Sequence, residues 1–366
     1  MLSRRRLLTA GALTAGSALL LPGLANAAPS TSTTSDFSTR EGWLAWLATH
    51  RDQVGVFADN GARACLSHRA QESQPLASAV KPVHLAAYTL SGLAPDTKVT
   101  VGEWERFYLP HTDGGAHEHS QRLLGIEADP ATKLAKNPAQ QVTLDQIAGT
   151  MIYFSDNAAT DYLRHRLGAA ALRRAALRGG WSGVDTRSKL ADFLYLLLPE
   201  EVRPGVPRRE MGDRLEQRFL TEPAFRDRAR ARVVTGPHPS WEAQVAWARD
   251  SGGASAATLA AFHRTAATGR FPEATRRHLE HTRSGSLPPG VAGIGWKGGS
   301  LAGVLVLAGY TRWNDGRVGS AALLLQELSL ADWTAMNAEG SLLFPVFEDL
   351  MLDPAWQGRV ARALRG

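Results

Sequence analysis

Ser78-Ala79-Val80-Lys81-Pro82 opens an apolar run, Val83-His84-Leu85-Ala86-Ala87-Tyr88-Thr89-Leu90, and the proline decides how it folds. Proline has no amide hydrogen and fits a helix only in its first turn, where the amides lack helical partners in any case. The run therefore predicts a helix over 78–90 whose first turn contains Ser78. Residues three apart share a helix face, so Lys81 falls beside the serine hydroxyl. That hydroxyl sits at the positive end of the helix dipole, where a developing oxyanion is stabilised. A lysine withdrawn from water loses basicity and can take the serine's proton. Ser78 is the candidate nucleophile and Lys81 its candidate base.

Lysine is scarce in this chain, with 35 arginines against 6 lysines. Arginine supplies ordinary positive charge, whereas lysine can also lose its proton. Each lysine therefore merits separate inspection: Lys81, Lys98, Lys133, Lys136, Lys189 and Lys297. Lys297 begins Lys297-Gly298-Gly299-Ser300, a glycine-bearing stretch between two apolar segments that reads as a strand. A third cluster, Ser155-Asp156-Asn157, precedes a helical pattern, and all three residue types are ordinary helix N-caps. Each motif by itself has an ordinary structural explanation.

Outward from these motifs, helical periodicity covers 41–50, with Trp43, Leu44, Trp46 and Leu47 on one side. A strand at 54–58, the turn Asn60-Gly61 and a return strand at 63–69 predict a hairpin. Residues 109–140 read as a polar loop, 143–151 and 156–167 as helices, and 189–250 as an arginine-rich helical block broken by prolines. Another helix covers 256–268. Apolar strands at 295–313 and 318–328 flank the turn Asn314-Asp315-Gly316, and a closing helix spans 341–364. Strands at both ends with helices between predict an α/β (α+β) fold, an antiparallel sheet carrying an inserted all-helical lobe.

The motif set S-x-x-K, S-D-N and a K-T-G-like K-G-G occurs in the order, and on the element types, of class A β-lactamases and penicillin-binding serine hydrolases. From about residue 41 to 366 the chain resembles that family. The resemblance implies a β-lactamase/transpeptidase-like domain with a five-stranded antiparallel sheet. It makes Ser78, Lys81, Ser155 and Lys297 the catalytic set. Ser155 would relay a proton to the leaving group, and Lys297 would attract an anionic group. Asn157 would hold the substrate amide, Gly299 and Ser300 would form the strand edge, and the amides of Ser78 and Ser300 would be the oxyanion hole. No metal or organic cofactor is required.

Two departures bear on the substrate. The family's deacylating glutamate has no counterpart in Val184-Asp-Thr-Arg-Ser-Lys-Leu-Ala-Asp-Phe-Leu194; Asp185, Asp192, Glu200 and Glu201 are the candidate substitutes. Gly298 stands where the family carries a hydroxyl that helps bind a carboxylate, a role Ser300 could share. The 77-position step from Ser78 to Ser155 leaves room for an insertion containing His111, Asp113, His117, Glu118 and His119. These are metal-ligand types without H-E-x-x-H spacing; the expectation is no metal, with His117 facing the substrate. β-Lactam hydrolysis is the leading reaction. The alternatives are an esterase or D-Ala-D-Ala-type peptidase, or a slow-turnover protein that binds β-lactams or peptidoglycan.

The N-terminus, Ser3-Arg4-Arg5-Arg6-Leu7-Leu8 followed by an Ala/Leu-rich run and Ala25-Asn26-Ala27, resembles a twin-arginine export signal ending near residue 27. A flexible linker is expected over 28–40. Export places the domain outside the cytoplasm, with no stable membrane span after cleavage. Loss of Arg4–Arg6 lowers the formal charge from +6 to +3. Near-balanced charge without a basic-aromatic stripe argues against nucleic acid. The expected partner is a small molecule and the expected state a monomer. Cys65 is the single cysteine, which excludes an internal disulfide, and reads as a small buried side chain in a strand.

Overall fold

Alternation along the C-terminal strands builds two cores at once. In Val304–Trp313, residues Val304, Val306, Ala308 and Tyr310 face one apolar cluster, while Leu305 and Leu307 face another. The computed structural model describes residues 35–62, 65–281 and 287–366. The signal segment, residues 28–34, and Arg63 and Ala64 of the expected return strand lie outside the described residues.

The sheet comprises β1 (Val54–Asp59), β2 (Cys65–His68), β3 (Val291–Leu301), β4 (Val304–Trp313) and β5 (Val318–Leu325), ordered β2-β1-β5-β4-β3. Every neighbouring pair is antiparallel. The two ends of the chain meet where β1 pairs with β5, Val54 opposite Leu325. One face packs on the terminal helices Arg40–Thr49, Leu343–Leu352 and Pro354–Arg365, through Trp43, Trp46, Phe347 and Trp356. The other packs on helix Ala256–Ala267 and, beyond it, the helical lobe. This is the α+β arrangement read from the sequence.

Several boundaries differ from that reading. The apolar run 295–313 is two strands, because Gly303, at φ +70°, makes a tight turn between them. The closing helix is broken at Asp353-Pro354: Pro354 starts a new helix, and the Asp353 carboxylate caps it by accepting from the Ala355 amide at 2.8 Å. The polar stretch 109–140 contains helix Ala116–Leu123. Phe37 is buried against Trp43 and a helix begins at Arg40, so packed structure starts within the segment read as linker. Cys65 is exposed rather than buried, since β2 is an edge strand whose inward residue is Leu66. Partial desolvation by its neighbours, then the facing Asp59, raise its thiol pKa.

Edge strand β3 positions the site. It runs past a 3-10 turn, Ala77–Val80, that leads into helix Lys81–Leu90 with Pro82 in its first turn. A Cβ on Gly299 would lie 2.4 Å from the Leu76 carbonyl oxygen and 2.7 Å from the Ser78 amide nitrogen. Only glycine lets strand and turn approach this closely.

Candidate functional site

Helix Lys81–Leu90 points Lys81 into the protein, where it is fully buried. Its ammonium donates to the Ser155 carbonyl, to Ser155 Oγ at 3.1 Å and to Asn157 Oδ1 at 2.8 Å. Three donors meet three acceptors, so the charged lysine has no N–H left for Ser78. Among the described residues no hydrogen bond joins the two. Burial first, then the ammonium groups of Lys297 and Lys189, hold Lys81 well below the ordinary lysine pKa, while Asp156 and Asp113 pull the other way. Once the proton is lost, a lone pair becomes available for base chemistry.

Ser155 occupies the turn before helix Asn157–Leu167 at φ +71°, a left-handed conformation for a residue that is not glycine. Such backbone is uncommon and collects at functional sites. Its Oγ accepts from Lys81 and, at 3.0 Å, from Lys297 Nζ. A hydroxyl has two lone pairs and one proton. With both lone pairs engaged, the Ser155 O–H is free to donate. Lys297 lies on β3 and also donates to the Gly298 carbonyl at 2.7 Å; burial pushes its pKa down to about 7.

Ser78 (7% exposed), Asn157 and Ser300 line one cleft with Ala77, Lys189, Asp192, Phe193 and Trp247. The buried Ser300 Oγ has no partner among the described residues, leaving it able to bind a ligand. Asn157 is less free than the sequence suggested. Its Oδ1 holds Lys81, and its amide donates to the Thr112 carbonyl at 3.2 Å.

His117 does not face the cleft. It is fully buried, with Nδ1 2.9 Å from Asp156 Oδ2 and Nε2 3.4 Å from Glu105 Oε1. Its ring stacks on Tyr108 and meets the edge of Trp104. Burial alone would lower its pKa, but the two carboxylates outweigh that and raise it to about 10. The reason it turns inward is the Asp156 cap. That carboxylate accepts from Ala159 N at 2.8 Å, and its second oxygen requires a buried cation. Asp113 is buried in the same network, accepting from the His117 amide at 3.0 Å. Burial, then Asp156, raise its pKa to about 7.

Of the four acidic candidates, only Asp192 lines the cleft, and its carboxylate is engaged by Arg208 at 3.1 Å and Arg187 at 3.6 Å. Asp185 pairs with Arg187 and Arg209, Glu201 with Arg218 and Glu200 with Arg232. The residue that reaches toward Ser78 from this segment is Lys189, whose Nζ donates to the Ala77 carbonyl at 3.0 Å. The sequence marked Lys189 only as one of six lysines; nothing in its spacing pointed to this contact.

No family model matches the chain, and no curated protein matches it. Among solved structures it is similar to a β-lactamase from Sphaerobacter thermophilus (17% identity, 87% of this chain and 94% of that one, TM-score 0.48). It is also similar to PBP-A (17%, 88% and 94%, TM-score 0.46) and to a class A β-lactamase from Mycobacterium abscessus (17%, 84% and 98%, TM-score 0.45). The functional reading is carried by this chain's own side chains. Among the described residues no helix is long and apolar enough to cross a membrane.

Proposed function

We propose that the chain is an exported serine hydrolase acting through an acyl-enzyme at Ser78, with β-lactams as its leading substrate class. The observation that carries this reading is the Ser155 hydroxyl, held between two buried lysines and beside a cleft lined by Ser78. In acylation the bond from Ser78 Oγ to the substrate carbonyl carbon forms as the serine proton passes to neutral Lys81. The amides of Ser78 and Ser300 hold the oxyanion. The carbonyl–nitrogen bond then breaks, and Ser155 gives its proton to the departing nitrogen and is reprotonated from Lys81. Lys297 and the free Ser300 hydroxyl receive an anionic group on the substrate. Hydrolysis of the ester by water regenerates Ser78.

The second reading is slow turnover, as in an acyl trap or a cell-wall peptidase or esterase with a different natural substrate. The pairing of Asp185, Asp192, Glu200 and Glu201 with arginines favours it, because each of these four candidates is already engaged and less free to activate the deacylating water. Loss of a general base typically slows a step by about 10²–10⁴-fold. The test is an intact-mass time course of the protein from Ala28 with a penicillin and a cephalosporin, with Ser78→Ala as control. We expect an adduct that forms in the parent chain, is absent from the variant and decays slowly. Rapid decay would sink the slow-turnover reading. No adduct with either drug would remove β-lactams as substrates and direct the search to esters and peptides.

A further inference from the structure

Lys189 is the first residue of helix Lys189–Leu197, and its backbone is fixed from the motif helix. The Asp161 carboxylate accepts from the Lys189 amide at 3.0 Å and from the Leu190 amide at 2.7 Å, while Ser188 Oγ caps the turn from Ala191 N at 3.1 Å. From this anchored start the lysine side chain lines the cleft and donates to Ala77 O at 3.0 Å. Ala77 has φ +50°, a conformation that alanine rarely adopts. The carbonyl of Ala77 and the amide of Ser78 are opposite ends of one planar peptide group. A cation on that carbonyl withdraws electron density through the amide resonance and makes the N–H a stronger donor. It also holds the tilt of the peptide, which the unfavourable Ala77 backbone would otherwise release.

Building on the assignment of Ser78 as nucleophile, we propose that Lys189 is a positioning residue that locks the Ala77–Ser78 peptide with its N–H in the oxyanion position and strengthens that donor. It acts through the peptide and needs no contact with the substrate. The charged groups acting on it are Asp192, Asp161, Asp185 and Arg187, and its own charge is felt by Lys81 and by the buried His84. Lys81 in turn faces Lys297, Asp156 and Asp113. Removing the Lys189 charge lets Lys81 keep its proton to higher pH, so the pH at which acylation is half-maximal moves up. That midpoint reports the lost charge, whereas the acylation rate above both midpoints reports the Ala77–Ser78 peptide.

The test measures the rate at which Ser78 is labelled by a fluorophosphonate and by a penicillin from pH 5 to 10, in the parent, Lys189→Met, Lys189→Arg and Ser78→Ala chains. Lys189→Met is expected to acylate about 10–100-fold more slowly, up to the loss seen when one oxyanion donor is removed, with its midpoint displaced upward. Lys189→Arg, which keeps the charge and a donor, is expected to recover most of the rate and the parental midpoint. Thermal melts accompany each variant. If Lys189→Met melts far below the parent, Lys189→Gln replaces it with the same expectation. Parental rate and midpoint in the folded neutral variant would overturn the role of Lys189 while leaving Ser78 as nucleophile. No Ser78-dependent label on the parent chain would remove both.

Discussion

At the scale of the residue, the buried imidazolium of His117 joins the insertion to the turn that carries Ser155. Replacing His117 by Gln leaves the carboxylates of Asp156 and Glu105 buried without their cation. Breaking a buried pair in this way costs about 3–5 kcal/mol, and His117→Gln is expected to lose that much at pH 6. The sign with pH follows from its raised pKa. The contribution of the ring is complete below its ordinary value of 6.5 and is lost as pH rises through about 10. The stability gap between parent and variant should therefore narrow between pH 6 and pH 10 in urea titrations. The His117 charge also lowers Asp113, whose pKa of about 7 therefore rises further in the variant, so that carboxyl offsets part of the narrowing. A gap of equal size at both pH values would mean that the ring is not an imidazolium in the fold. The meeting of Lys81, Ser155 and Lys297 beside the cleft that Ser78 lines was legible in the sequence, because their spacing on a helix start, a turn and a strand is itself the signal. The placement of His117 was misread and the contact of Lys189 missed because both depend on partners 39 and 112 positions away, Asp156 and Ala77.

At the scale of the element, the register of β3 against the turn Ala77–Val80 sets the geometry around Ser78. Adjacent glycines make opposite predictions. In Gly299→Ala the new Cβ meets backbone, at 2.4 Å from Leu76 O and 2.7 Å from both Ser78 N and Ala79 N, and none of these can rotate away. Strand and turn must separate, and displacement of about 1 Å at a reacting group costs about 100-fold in rate. In Gly298→Ala the closest atom is the Leu307 Cδ2 methyl at 3.0 Å, which turns about a side-chain bond. Acylation rates should fall at least about 100-fold for Gly299→Ala, by that same estimate, and stay near parental for Gly298→Ala. Equal rates in both variants would refute the close approach. The elements themselves were legible wherever a local device marks them, as Pro82 and the caps Thr143 and Asp156 do. Helix Ala116–Leu123 escaped notice because its sequence, Ala-His-Glu-His-Ser-Gln-Arg-Leu, holds only two apolar residues, Ala116 and Leu123. It is held by tertiary partners instead: His117 by Asp156, and Gln121 by Glu105 at 2.8 Å.

At the scale of the molecule, the sheet is assembled from both ends of the chain, and its back face depends on the final helix. Trp356, Val360 and Leu364 are buried in the same cluster as Trp43, Trp46, Val54, Val56 and Leu323. Trp356 Nε1 donates to the Val346 carbonyl at 2.9 Å, and Arg359 reaches Glu41 at 2.7 Å. Burial of one large apolar side chain contributes about 1.5–3 kcal/mol, so the three together contribute roughly 5–9 kcal/mol. That is comparable with the whole stability of a typical domain, about 5–15 kcal/mol. A chain ending at Asp353 is therefore expected to lose the entire fold rather than fray at its end. β5 would lose packing on one face; β5 pairs with β1 and β4, and β4 pairs with the strand that carries Lys297. Far-UV circular dichroism, thermal melts and Ser78 labelling of the truncated chain check this, with all three signals expected to disappear together. A truncated chain that still labels at the parental rate would show that the helical lobe and β3 hold the cleft without the back face of the sheet.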